Sequence, residues 1–145
     1  MKRYRTGMTR LLMAGILGRV TWWRRYLDVA FPGRKPADWA DQLRRIETKL
    51  SEPGRMKAMQ RMGQPAPVDA GAQLGNVRCP ALIVEGTLDP DWADPRAEGE
   101  AIVAAMPPEL AELKVIEGAG HYPNTQFPDE TLALLLPFLT AYARA

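Results

Sequence analysis

The chain is poor in the residues that most often do chemistry. Its 145 residues include one cysteine, Cys79, one histidine, His121, and one serine, Ser51. A single cysteine closes no internal disulfide, so a secreted, cross-linked framework is excluded and a reducing cytoplasm is the expected setting. One histidine and one cysteine far apart in the chain offer no zinc site. Charge of either sign is not in excess: 19 basic and 17 acidic residues leave a net +2, which gives no reason to expect nucleic acid as a partner. No apolar run approaches the roughly 20 residues that cross a bilayer. The run Leu11 to Leu17 follows basic residues as a signal peptide's would, but it is short, no A-x-A-like site follows it, and Arg24-Arg25 come soon after.

What is present describes a folded, water-facing protein. Hydrophobic residues at 46% and charged residues at 25% match soluble globular chains, and a chain of this length buries about 70% of its unfolded surface. Basic residues crowd the first stretch (Lys2, Arg3, Arg5, Arg10, Arg19, Arg24, Arg25) around Trp22 and Trp23. Such a segment suits an anionic surface, but the solvated face of surface helices is the simpler account, and no membrane is expected as a partner.

Residues 1–63 read as helical. Pro36 suits a helix's first turn, and Trp39, Leu43, Ile46 and Leu50 follow at the spacing of one helical face. Ser51 and Pro53 suit the start of the next helix, Met56, Met59 and Met62 form a stripe that reads as packing, and Gly63 can end it. Residues 64–76, with Pro65, Pro67, Gly71 and Gly75, read as a linker.

Residues 77–145 alternate strand and helix. Ala81-Leu82-Ile83-Val84, between Pro80 and Gly86, suits a buried parallel strand. Asp94 can cap a helix with Pro95 in its first turn, and Leu113 to Glu117 is a second strand stopped by Gly118. The connection is long enough for a crossover helix, which makes a βαβ unit with parallel strands. A last helix from Asp129, with Leu132, Leu135, Leu136 and Leu139 and a Pro137 kink, should cover one sheet face. Two strands do not make a sheet covered on both faces without an exposed apolar edge. Either another chain completes the sheet, through a second copy at the open edge, or the sequence is the tail of a longer one.

In open parallel sheets reactive groups gather on loops past the carboxyl ends of strands. Gly86-Thr87-Leu88-Asp89-Pro90-Asp91 follows the first strand and Gly118-Ala119-Gly120-His121-Tyr122-Pro123 the second. Neighbouring strands lie about 4.8 Å apart, so Asp89 and His121 are within reach of a hydrogen bond that would fix the imidazole tautomer and stabilise an imidazolium. Asp91 and Asp94 are competing acids, Asp94 being better explained as a cap. A calcium loop fails: Asp89, Asp91 and Glu100 fit positions one, three and twelve, but Ala93 and Asp94 stand where a ligand and the glycine belong. No metal and no cofactor is called for.

The run Val77 to Asp89, then Gly118-Ala119-Gly120-His121-Tyr122-Pro123 and Phe127-Pro128, resembles the last two strands of the α/β-hydrolase superfamily. The resemblance spans Val77 to the C-terminus, and the helices from Pro36 to Gly63 resemble, with less specificity, the lid such enzymes insert before these strands. It implies an α/β class, a partial α/β-hydrolase fold in which a helical lid precedes a βαβα unit. It makes Asp89 the triad acid and His121 the general base and acid. Gln126 stands where many relatives have a glutamate supporting the histidine loop.

One family element is not in this sequence. The nucleophile sits on a G-x-S-x-G elbow that precedes the acid and the histidine, with oxyanion donors from that elbow and an earlier loop. Ser51, in Leu50-Ser51-Glu52-Pro53-Gly54, is at a helix start, and Cys79 lies at the wrong end of its strand, where it should pack as a small hydrophobe. The expectation is therefore a C-terminal half of a hydrolase of esters or similar acyl bonds, inactive alone, whose nucleophile, serine or aspartate, lies elsewhere. Its substrate would be a small apolar ester-like molecule bound near Trp22, Trp23, Trp39 and Tyr122. The alternative is a non-catalytic remnant that serves as a binding or assembly module.

Overall fold

The computed structural model describes residues 1–63 and 68–142. Four helices come first: α1 (Lys2–Leu17), α2 (Val20–Ala30), α3 (Trp39–Ser51) and α4 (Arg55–Met62). Gly18 closes α1 in the left-handed conformation, with its N–H on the Ala14 carbonyl at 3.0 Å, a conformation that costs glycine nothing. The core of this layer is Tyr26, Leu27, Ala30, Phe31 and Leu43, with Trp39 and Ile46 packed against it. The helical face expected from Trp39, Leu43 and Ile46 thus meets α2.

Several boundaries differ from expectation. Pro36 lies a turn ahead of α3, its carbonyl accepting from Trp39 N at 3.1 Å. Ser51 ends α3 rather than starting α4, because its hydroxyl donates back to the Glu47 carbonyl at 2.7 Å and so serves no free N–H. Gly54, at φ 82°, makes the turn and caps α4. Met59 lines a groove of about 570 Å3 between α1 and α4 with Met8, Leu11 and Ile16, whereas Met62 is exposed. In the segment read as linker, 64–67 lie outside the described residues, Val68–Ala72 forms a short helix, α5, and Leu74–Asn76 a 3-10 turn.

The rest is β1 (Ala81–Gly86), α6 (Pro95–Ala105), β2 (Ala111–Ile116), α7 (Pro123–Gln126) and α8 (Pro128–Tyr142). The strands pair in parallel, from Ala81 with Ala111 to Gly86 with Ile116. Asp94 caps α6 as expected, its Oδ1 accepting from Ala97 N at 3.1 Å with Pro95 in the first turn. Gly99 lets α6 lie close on the sheet, since a Cβ there would stand 2.5 Å from Leu113 Cδ1 and 3.1 Å from Glu85 Cγ.

Three expectations about burial are corrected. β1 is only half-buried along most of its length, because among the described residues it has one strand neighbour. On α8, Leu132, Leu136 and Leu139 are 51%, 53% and 54% exposed; two strands are too narrow to cover that face. Cys79 is exposed, because it precedes β1 in the segment leading into the sheet. Among the described residues no helix is long and apolar enough to cross a membrane.

Candidate active site

The two strand ends are tied together by backbone before any side chain is considered. Thr87 N donates to Ile116 O at 3.2 Å and Leu88 N to Ala119 O at 2.8 Å. Thr87 Oγ1 accepts from Gly118 N at 2.9 Å. Gly86 must be glycine, because a Cβ there would stand 2.5 Å from Ala119 O and closer still to Gly120 O. This close approach holds the acid loop and the histidine loop in fixed register.

Across that seam His121 Nδ1 lies 2.9 Å from Asp89 Oδ2. Asp89 is 5% exposed, while the His121 side chain keeps 35% of its surface. A carboxylate only accepts, so Nδ1 carries the proton and Nε2 the lone pair, the tautomer a general base needs. The hydrogen bond to Asp89 raises the imidazole's proton affinity above the ordinary value, against the opposing effect of burial. Burial, and then the Asp89 charge, push the nearby Glu85 carboxyl up to about 7.

Asp91, a competing acid by sequence, belongs to the same cluster. Its Oδ2 is 3.5 Å from His121 Nδ1, its N–H donates to Asp89 Oδ1 at 2.8 Å, and its Oδ1 accepts from Tyr26 Oη at 2.8 Å. Burial raises the Asp91 carboxyl above its ordinary range. The three side chains bring ligand-type atoms within 4.8 Å of one another, but Nδ1 is committed to Asp89 and one Asp91 oxygen to Tyr26. The set is a hydrogen-bonded cluster of an imidazole, two carboxylates and a phenol.

The helical layer grips both loops. His121 N donates to Ala30 O at 2.9 Å. Fully buried Gln126 accepts from Gly120 N through Oε1 at 2.8 Å and donates through Nε2 to Pro32 O at 2.7 Å and Arg34 O at 2.8 Å. The α1 end reaches the acid loop, where Arg3 donates to Thr87 O at 3.2 Å and a Cβ on Gly7 would stand 2.6 Å from Pro90 Cβ. Arg3 is therefore not on a solvated face, contrary to the reading of the basic segment.

Of the four aromatic residues read as pocket lining, Trp23, Trp39 and Tyr122 pack against the helical core, and Trp22 stands apart. Tyr122 meets the His121 ring edge-on at 4.8 Å and stacks on Phe31 at 5.0 Å. Trp23 stacks on Tyr26 at 5.1 Å, one layer behind Asp91. Trp39 packs on Phe31 at 4.6 Å. Trp22 lies under the Arg25 guanidinium at 4.6 Å, and beside Arg5, Thr6, Thr9 and Arg10 in a shallow depression.

A helical layer over a parallel βαβ unit, with acid and histidine at adjacent strand ends, defines an α/β-hydrolase architecture. The chain belongs to the alpha/beta hydrolase family, whose model matches residues 3–134. No curated protein matches it. Among solved structures it is similar to MGS-M2, an alpha/beta hydrolase enzyme from a Medee basin deep-sea metagenome library (20% identity, 95% of this chain and 50% of that one, TM-score 0.68). It is also similar to 2-hydroxy-6-oxo-6-phenylhexa-2,4-dienoate hydrolase of Rhodococcus sp. strain RHA1 (17% identity, 96% and 49%, TM-score 0.69). A third is a membrane phospholipase A described as a bacterial virulence factor (19% identity, 88% and 40%, TM-score 0.65). The chain spans half or less of the length of these structures.

Proposed function

We propose that this chain supplies the acid and the base of a hydrolase that cleaves esters or similar acyl bonds in small apolar substrates. The observation that carries the reading is the 2.9 Å contact between His121 Nδ1 and Asp89 Oδ2 across two parallel strand ends. His121 Nε2 takes the proton of an attacking hydroxyl and then passes it to the leaving group, while Asp89 holds the ring and stabilises the imidazolium. The attacking group belongs to a strand-to-helix elbow, and the oxyanion donors to that elbow and an earlier loop, none of which this sequence contains, so the chain alone turns over no ester. The same elbow decides the reaction class, because an aspartate in place of the serine would attack as a carboxylate and leave His121 to activate water.

The test is to sequence the DNA upstream of the Met1 codon in all three frames and to assay the longer product on p-nitrophenyl esters. An elbow in frame, with activity lost by about 10^3-fold or more in His121→Ala, supports the reading. Full activity in that variant sinks it.

A second reading, a non-catalytic assembly module, draws on the exposed Leu132, Leu136 and Leu139 of α8 and on the two-stranded sheet, which leaves an edge for a second copy. It predicts a discrete oligomer in sedimentation. A well-behaved monomer counts against it.

A further inference from the structure

We propose that Asp91 is a second positioning carboxylate for His121, held from the helical layer by Tyr26, so that two acids share the imidazolium. The proposal rests on the reading of His121 as the base and adds a residue to its machinery.

The turn Asp89-Pro90-Asp91 distributes its acceptors without redundancy. Asp89 spends Oδ1 on the Asp91 N–H and Oδ2 on the ring. Asp91 spends Oδ1 on Tyr26 and leaves Oδ2 at 3.5 Å from the same Nδ1. That separation is too long for a good hydrogen bond and short for a charge contact in a half-buried site, where a carboxylate favours the cationic ring. A turn aspartate with only a local role would face water. This one has a side chain 21% exposed, and its partner Tyr26 is 2% exposed within the core of the helical layer. Fully buried Pro90 fixes the spacing of the two acids.

Other charged and titratable groups among the described residues stand near the ring. Glu85 on β1 also favours the imidazolium, Tyr122 packs edge-on with burial holding its phenol protonated, and Arg3 of α1 brings its positive charge near Asp89. Asp91 is the group among these that ties the imidazole to α2 through a side chain.

Because His121 is the only histidine, its ring Cε1 proton resonance can be titrated by NMR in the intact chain without assignment. Asp91→Asn keeps the size and the acceptor for Tyr26 while removing the charge. It is expected to lower the titration midpoint by about 0.5 to 1 pH unit, a three- to tenfold loss of proton affinity, and Asp91→Glu is expected to restore most of it. Asp89→Asn and the double Asp89→Asn/Asp91→Asn variant provide an independent comparison, in which the double variant should titrate lower than the single one. Coincident midpoints in either comparison overturn the proposal. The titration needs no substrate, so the outcomes separate: an unmoved midpoint removes Asp91 and leaves the hydrolase reading intact, whereas full activity in His121→Ala removes the hydrolase reading and leaves the titration result standing.

Discussion

Gln126 Oε1 accepts the backbone N–H of Gly120 at 2.8 Å, one residue before the histidine. Its amide nitrogen donates to the carbonyls of Pro32 and Arg34. The acceptor end fixes the histidine loop, and the donor end fastens it to the segment between α2 and α3. A glutamate here could not make the second half of this arrangement, because its ionised form only accepts.

Gln126→Glu should therefore leave two buried carbonyls facing a carboxylate. The expected cost is about 2–4 kcal/mol, from lost donors and a buried charge, read as a fall in the urea midpoint at pH 7.5. Part of the loss should return near pH 5, where a protonated glutamic acid can donate again. Unchanged stability at both pH values would contradict the hydrogen-bond assignment.

At Gly120 an added Cβ would overlap Ala30 O and Pro32 Cδ. Gly120→Ala should push the histidine loop off α2 and cost about 1–3 kcal/mol. The His121 titration midpoint should fall as the ring leaves Asp89. A midpoint matching wild type would mean that the loop absorbs the methyl group without moving the ring.

The pH dependence of stability has a definite sign. His121 and Glu85 both hold protons more tightly in the folded chain than in the unfolded one, so folding binds protons and stability falls as pH rises. The Glu85 share is lost between its ordinary 4.5 and about 7. The His121 share is fully present below 6.5 and disappears as pH climbs through the raised value. Urea midpoints measured from pH 5 to 8 should decline, and Glu85→Gln should flatten the decline below pH 7. A rising profile would show that the cluster is stabilised by its carboxylates' charges and not by protons.

The exposed leucines of α8 make a fourth case. Leu136→Glu should change the stability of the isolated chain by less than about 0.5 kcal/mol, because Leu136 is 53% exposed. In the assembly reading it should also shift sedimentation from oligomer to monomer. A large loss of monomer stability would place that leucine in a core of this chain.

Much of the fold was legible from period and punctuation. The Trp39, Leu43, Ile46 spacing, the apolar run before Gly86 and the Asp94-Pro95 start all became elements close to where they were expected, because each depends on neighbours within a few residues. Ser51 misled for a local reason as well: a hydroxyl near a helix end can donate back to a carbonyl as readily as it can cap the next N–H. The Asp89 and His121 loops could be found because parallel strands deliver their loop residues to one edge.

Asp91, Tyr26 and Gln126 were less legible because their partners are distant in sequence. Asp91 meets a phenol 65 residues away, and Gln126 meets carbonyls 92 and 94 residues away; no periodicity carries such pairings. The sequence by itself determined the helical first part, the βαβ unit and the acid and histidine at adjacent strand ends, since these follow from short-range spacing and the fixed geometry of parallel strands. The tertiary structure alone decided that α2 and the Pro32–Arg34 segment brace the site, that two carboxylates face one ring, and that the outer face of α8 stays open. Those outcomes depend on which surfaces meet once the chain is packed, and burial and hydrogen bonding between remote residues exist only after that packing is complete.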